Sequence, residues 1–351
     1  MSAPKVGGWA LLGLCLLVTA SVFGAFEVLR SRGPAATRHP NVVLVMPCTT
    51  RRDQFSVYGG PAGTTPFLDE VARNGVLFED ALAAAPWTMA GATAILTGQH
   101  AVSVGLVEPG PQISLRVLPN EVTTLAEHLQ DRGYQTFGAT ANPNLEPVHG
   151  FDQGFDWYQG DLVGRLGSVT KRLAGRTVVD AVLEQLESRG DEGRPFYLQL
   201  MLIDTHAPLM PDRHEVRRWR ERGVPEGVAR YRKALHDLDE VLRHLDERLR
   251  ALGHDESNTL LVVVGDHGEG LRWPPHHGSS HGRLLYPSQI DVPWLMRGPG
   301  VAVGHRVSGL ASQVDVMPTV LATARIPLRD GDLAGRDWST QVRGNADRTT
   351  R

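Results

Sequence analysis

The chain has 351 residues, 41% apolar and 21% charged, with a formal net charge of −3. That is enough apolar sequence for a large core in one big α/β domain. The charge gives no footing for nucleic acid, which is not expected as a partner. Of the two cysteines, Cys15 lies in an apolar run and Cys48 stands alone beyond it, so no disulfide inside the folded part is expected.

Val6 to Phe26 is apolar and uncharged, and about 20 such residues can cross a bilayer. With Lys5 before it, an export signal and an uncleaved anchor both fit; the anchor is preferred. Arg30, Arg32 and Arg38 follow the span and argue against an N-in orientation. The expected layout is a signal-anchor over 1–29, a linker over 30–39, one α/β domain over 40–340 and a polar tail over 341–351.

Asn41 to Met46 reads as a buried strand ending at Pro47-Cys48-Thr49-Thr50. Thr65 can cap a helix beginning at Pro66 and running to Arg73. Gly75 to Phe78 is a short strand. Ala85 to Gly98 suggests a buried helix with Thr88 at its N-terminus, where free backbone N–H groups favour a deprotonated hydroxyl. A plain N-cap is the simpler reading of Thr88 taken alone. Glu121 to Arg132 reads as an amphipathic helix, Gly133 to Thr140 as a strand and Thr177 to Glu187 as a helix.

Pro195 to Ile203 is a further buried strand, ending at Asp204-Thr205-His206-Ala207-Pro208. Ala229 to Leu252 is a long helix with leucines on one face. Thr259 to Val264 is an apolar, β-branched strand ending at Gly265-Asp266-His267-Gly268-Glu269, a carboxylate and an imidazole able to face one metal ion. A His-rich loop follows, Trp273 to Tyr286, then a strand and turn over Val292 to Gly300, and a loop and helix over Gln313 to Ala324.

Strands alternating with helices predict a mostly parallel central sheet sandwiched by helices. Cys48, His206 and Asp266-His267 all fall just past strand ends. Each alone has a plainer reading, as a polar turn or a satisfied loop histidine. Parallel strands bring their ends to one edge, and that convergence sets these residues apart.

Nine segments in order resemble the sulfatase-like branch of the alkaline phosphatase superfamily, over about 41–340. They include Asn41-Val-Val-Leu-Val, Thr64-Thr-Pro-Phe-Leu-Asp69, Pro86-Trp-Thr through Leu96-Thr-Gly98, Gly150-Phe-Asp-Gln-Gly-Phe-Asp156 and Asp204-Thr-His-Ala-Pro208. Gly265-Asp-His-Gly-Glu269, His281-Gly and Val292-Pro through Gly300 follow. The resemblance implies metal-assisted attack on a sulfate or phosphate ester. Asp266 and His267 match metal ligands, Thr88 the nucleophile, His206 and His281 the groups contacting the anion or leaving group. It also implies an exported domain, periplasmic or extracellular, secreted if the N-terminal segment is cleaved.

The chain departs from the pattern. Cys48 stands where a metal-ligating acid is expected, and soft sulfur favours zinc over calcium or manganese as the divalent ion. Ala90, Gly91 and Ala92 stand where sulfatases show Pro, Ser and Arg. The C-terminal subdomain is expected to be reduced or absent. The leading expectation is a hydrolase of small-molecule, glycan-linked or lipid-linked sulfate or phosphate esters. The alternatives are a non-catalytic binding module of the same fold and a membrane-anchored phosphoryl-group transferase.

Overall fold

The uncharged runs at 41–47, 196–202 and 259–264 lie side by side at the centre of one sheet. The computed structural model describes residues 39–106, 116–160, 174–189, 193–209, 213–272, 278, 280–328 and 333–345. The apolar run 6–26, nearly all of the linker 30–39 and most of the tail lie outside the described residues, as do parts of the His-rich loop. Among the described residues, no helix is long and apolar enough to cross a membrane.

The strands are β1 (Asn41–Pro47), β2 (Val76–Leu82), β3 (Gln135–Thr140), β4 (Trp157–Gln159), β5 (Phe196–Leu202), β6 (Thr259–Val264), β7 (Trp294–Arg297) and β8 (His305–Ser312). Their order across the sheet is β4-β3-β5-β1-β6-β7-β2-β8. Only the pairings of β7, with β6 and with β2, are antiparallel. The helices are α1 (Pro66–Arg73), α2 (Thr88–Thr97), α3 (Leu125–Gln130), α4 (Ala174–Arg189), α5 (Arg213–Arg220), α6 (Glu226–Ala251), α7 (Pro287–Ile290), α8 (Val316–Thr323) and α9 (Ser339–Val342). The expected mostly parallel α/β architecture is the one observed.

The central strands are continuous apolar runs because both faces are covered: every residue of β5 and β6 is buried. The leucine face of α6 (Leu235, Leu238, Leu242, Leu245 and Leu249) is buried as its spacing predicts. One of its buried charged residues, Asp239, has a task. Its two carboxylate oxygens accept from Phe67 N at 2.8 Å and Leu68 N at 2.9 Å, satisfying the first turn of α1. Thr65 therefore does not cap α1 with its side chain; its hydroxyl accepts from Ser56 N instead.

Helix α3 is shorter than the expected 121–132. Thr124 Oγ1 accepts from Glu127 N while Glu127 Oε2 accepts from Thr124 N, and this capping box starts the helix after 124. β4, β8 and α5 were not expected. β8 is a mostly exposed edge strand, with only Val307 and Ala311 buried, and has no apolar run, and α5 is dominated by arginine.

Candidate active site at the carboxyl edge of the sheet

β1 lies between β5 and β6, so the residues that follow these three strands emerge together. Cys48 leaves β1, Thr205 and His206 leave β5, and Asp266 and His267 leave β6. The first helical residue of α2 is Thr88, after Trp87 in an extended conformation. Glycine lets that helix press onto the end of β6: a Cβ on Gly91 would stand 2.4 Å from Asp266 O. The Gln313 amide nitrogen donates to Gly265 O and Asp266 O, both at 2.7 Å, and fixes the turn.

Thr88 is not the N-cap, a position that Trp87 holds. Its Oγ1 lies 3.2 Å from His267 Nε2 and 3.6 Å from Cys48 Sγ, and it accepts from Asn142 Nδ2 at 3.3 Å. Asn142 Nδ2 also lies 3.6 Å from Cys48 Sγ. Cys48, Asp266 and His267 are fully buried, and Thr88 nearly so. Thr49 adopts a left-handed φ of 56°. That conformation turns its N–H onto Asp266 Oδ1 at 2.9 Å, and Tyr231 Oη holds its carbonyl at 2.7 Å.

The electrostatics set the protonation states. His267 Nδ1 faces the Gly268 carbonyl at 2.8 Å, so it carries the proton and donates, leaving a lone pair on Nε2 toward Thr88. Burial lowers the pKa of His267, despite the opposing pull of Asp266, and keeps the ring neutral. Burial also pushes the Cys48 thiol well up, with the Asp266 charge adding to it. His281 and Glu269 form a pair at 3.1 Å. Burial opposes the charge on His281, but the Glu269 carboxylate outweighs it and raises its pKa. Burial lowers the pKa of His206, whose ring centroid lies 5.3 Å from that of His281. The rings of His281 and His267 are 4.4 Å apart.

The donor atoms of Cys48, Asp266 and His267 all lie within 4.8 Å of one another. Asp266 Oδ1 accepts two backbone N–H groups, from Thr49 and His267, while the buried Oδ2 has no hydrogen-bond partner among the described residues and lies 3.4 Å from His267 Nε2. An orphaned carboxylate oxygen, an imidazole lone pair and a thiol facing one point fit a divalent ion. Nitrogen, oxygen and sulfur are all donors that divalent ions accept in proteins.

All six residues singled out from the sequence thus meet at one edge. Three others were not foreseen. Asn142 follows β3, as the foreseen residues follow their strands, but an Asn-Pro pair reads as an ordinary turn. Glu269 orients His281. The buried guanidinium of Arg51 donates to Asp53 at 2.6 Å and to Gly270 O at 3.3 Å, tying the loop after β1 to the loop after β6.

The Sulfatase family model matches residues 40–326. N-acetylgalactosamine-6-sulfatase of Canis lupus familiaris is 25% identical over 381 residues, covering 94% of this chain and 69% of the relative. The phosphonate monoester hydrolase SpPMH from Silicibacter pomeroyi has the same fold, with a TM-score of 0.70 at 17% identity over 89% of this chain and 78% of that one. So does BT4656, solved with its substrate D-glucosamine-2-N,6-O-disulfate, with a TM-score of 0.69 at 18% identity over 90% of this chain and 82% of that one. A match spanning most of the chain, with the sheet edge arranged as described, leads to one conclusion: the chain belongs to the sulfatase family.

Proposed function

We propose that the protein is a metal-dependent hydrolase of sulfate or phosphate esters that uses Thr88 as its nucleophile. One observation carries this reading: Thr88 Oγ1 stands within hydrogen-bond reach of His267 Nε2 and beside the orphaned Asp266–Cys48 donor set. Cys48, Asp266 and His267 would hold the ion. Bound there, a divalent ion supplies Lewis acidity, easing loss of a nearby hydroxyl proton and neutralising anionic charge.

The chain's own groups do the rest. Deprotonated Thr88 Oγ1 attacks the phosphorus or sulfur as the bond to the alcohol oxygen breaks, and water then cleaves the resulting Thr88 ester, releasing the anion and restoring the hydroxyl; the position of Thr88 at the start of α2 favours the anionic form. Asn142 Nδ2 donates to that oxygen and stabilises the charge on it. His281, whose pKa is raised by Glu269 against the effect of burial, can give a proton to the departing alcohol oxygen. His206, uncharged near neutral pH, can donate a hydrogen bond to the transferred group. The substrates of the sulfatase relatives suggest a glycan or other small ester. The apolar run 6–26 suggests a membrane-tethered, exported enzyme.

The test is metal analysis and turnover on the purified full-length protein. We expect about one Zn²⁺ per chain, with turnover of p-nitrophenyl phosphate or a phosphonate monoester exceeding that of the sulfate. A protein that binds no metal and is inert toward all three with added Zn²⁺, Mn²⁺ or Ca²⁺ would overturn the proposal.

A further inference from the structure

Beside the nucleophile stands a cation that the proposed reaction does not use. Arg116 lays its guanidinium over the indole of Trp87, 5.8 Å from the ring centre, and Trp87 immediately precedes Thr88. Trp87 is half-buried. The position of Arg116 is built into the fold. Its carbonyl accepts from His149 Nδ1 at 2.8 Å, and Leu118 N donates to His149 O at 2.9 Å. Gln153 Nε2 clamps Leu118 O at 3.1 Å and Gly150 O at 2.7 Å. Gly150, with φ +76°, permits this approach; a Cβ there would meet Leu118 O at 2.8 Å.

The guanidinium is not used up internally. Among the described residues Arg116 Nη1 is buried and has no hydrogen-bond partner. A buried donor without an acceptor is costly, and an anion from outside would relieve it. The nearby α2 has no charged residue to compete.

We propose that Arg116 and Trp87 form a subsite for a second anionic group on the alcohol side of the ester. Thr88 Oγ1 has its own partners in His267, Cys48 and Asn142, and the guanidinium lies over the preceding Trp87, so it suits a neighbouring substituent rather than the group under attack. A half-buried indole beside a planar fork of N–H donors matches a sugar ring carrying a sulfate or carboxylate. The substrate class is then a polyanionic glycan with at least two anionic groups close together. This rests on the hydrolase reading above.

Binding and turnover separate the two ideas. In a Thr88→Ala background with Zn²⁺ supplied, calorimetry compares glucosamine-2-N,6-O-disulfate with glucosamine 6-sulfate as probes. The disulfate should bind about tenfold more tightly, as a charge-assisted pair implies. Arg116→Ala should shrink that gap to about twofold or less, and Arg116→Lys should keep part of it. Arg218→Ala, an exposed arginine on α5, is the control and should keep the full gap. Equal affinities in the parent, or a gap that survives Arg116→Ala in a protein with unchanged circular dichroism, overturn the subsite. If the gap holds while every ester is inert in the Thr88 protein, the hydrolase reading falls and the subsite stands. Turnover of p-nitrophenyl phosphate without any gap means the reverse.

Discussion

Cys48 Sγ lies 3.6 Å from Thr88 Oγ1, with Asn142 Nδ2 within reach of both. The sulfur therefore faces both the proposed nucleophile and the donor set of Asp266 and His267. Cys48→Ser keeps the size but replaces the soft donor. We expect zinc affinity to fall by more than about tenfold and the preference to move toward harder ions such as Mn²⁺. Metal-competition titrations on the two proteins check this; an unchanged zinc affinity removes Cys48 from the ligand set.

Thr88→Ala should lower kcat by about 10³-fold or more, because the attacking oxygen is gone, while Thr88→Ser should retain measurable turnover. Steady-state kinetics with p-nitrophenyl phosphate decide it. Equal losses in the two variants would count against a nucleophilic hydroxyl.

Asn142 donates to the same hydroxyl from the end of β3. Removing one such donor from a buried site typically costs about 10²–10³ in kcat. Asn142→Ala should show a loss of that order with little change in KM. A rise in KM alone would place Asn142 in ground-state binding.

Gly91 touches the site only through its backbone. A Cβ there would press on Asp266 O at 2.4 Å, with the Gln313 side chain also close at 3.2 Å. Gly91→Ala should push α2 away from β6 and destabilise the fold by about 1–3 kcal/mol. A shift in denaturant midpoint, together with weaker metal binding, is the expected signature; unchanged metal binding would show that the two move independently.

Asp204 gives the fold a pH dependence. Burial pushes its carboxyl up to about 7, and its Oδ2 has no partner among the described residues. Gly175 N donates to Oδ1 at 3.4 Å, and this and the Asp204 backbone N–H only partly offset the burial. The unfolded chain ionises this group near pH 4 and the folded chain only near 7. Below pH 4 both states hold the proton and nothing is lost. Between pH 4 and 7 stability falls as pH rises, and above 7 the full cost remains, at most about 4 kcal/mol. Thermal melts should show a higher Tm at pH 5 than at pH 8, with Asp204→Asn flattening the difference. Parallel profiles for the two proteins would refute this.

The elements that could be read directly were those whose local chemistry admits one answer. The uncharged runs at 41–46 and 259–264 cannot sit at a surface, and the leucine stripe of α6 has one periodicity. Thr65 looked like the cap of α1, yet Asp239, 172 residues away along the chain, holds those N–H groups. No local rule could find that pairing. The edge strand β8 carries no apolar run, and the reversed sense of β7 leaves no mark in its sequence.

At the site, the amino-acid sequence determined the candidate residues and the edge they share. Strand ends are local features, and parallel strands must point them the same way. Tertiary structure decided what those residues are to each other. It brought Asn142 within reach of both Cys48 and Thr88, and it left Asp266 Oδ2 without a hydrogen bond among the described residues. It also turned the His267 lone pair toward Thr88 by giving its other nitrogen to Gly268 O. Protonation, orphaned atoms and contact distances depend on groups brought from all over the chain, and only packing fixes which of them meet.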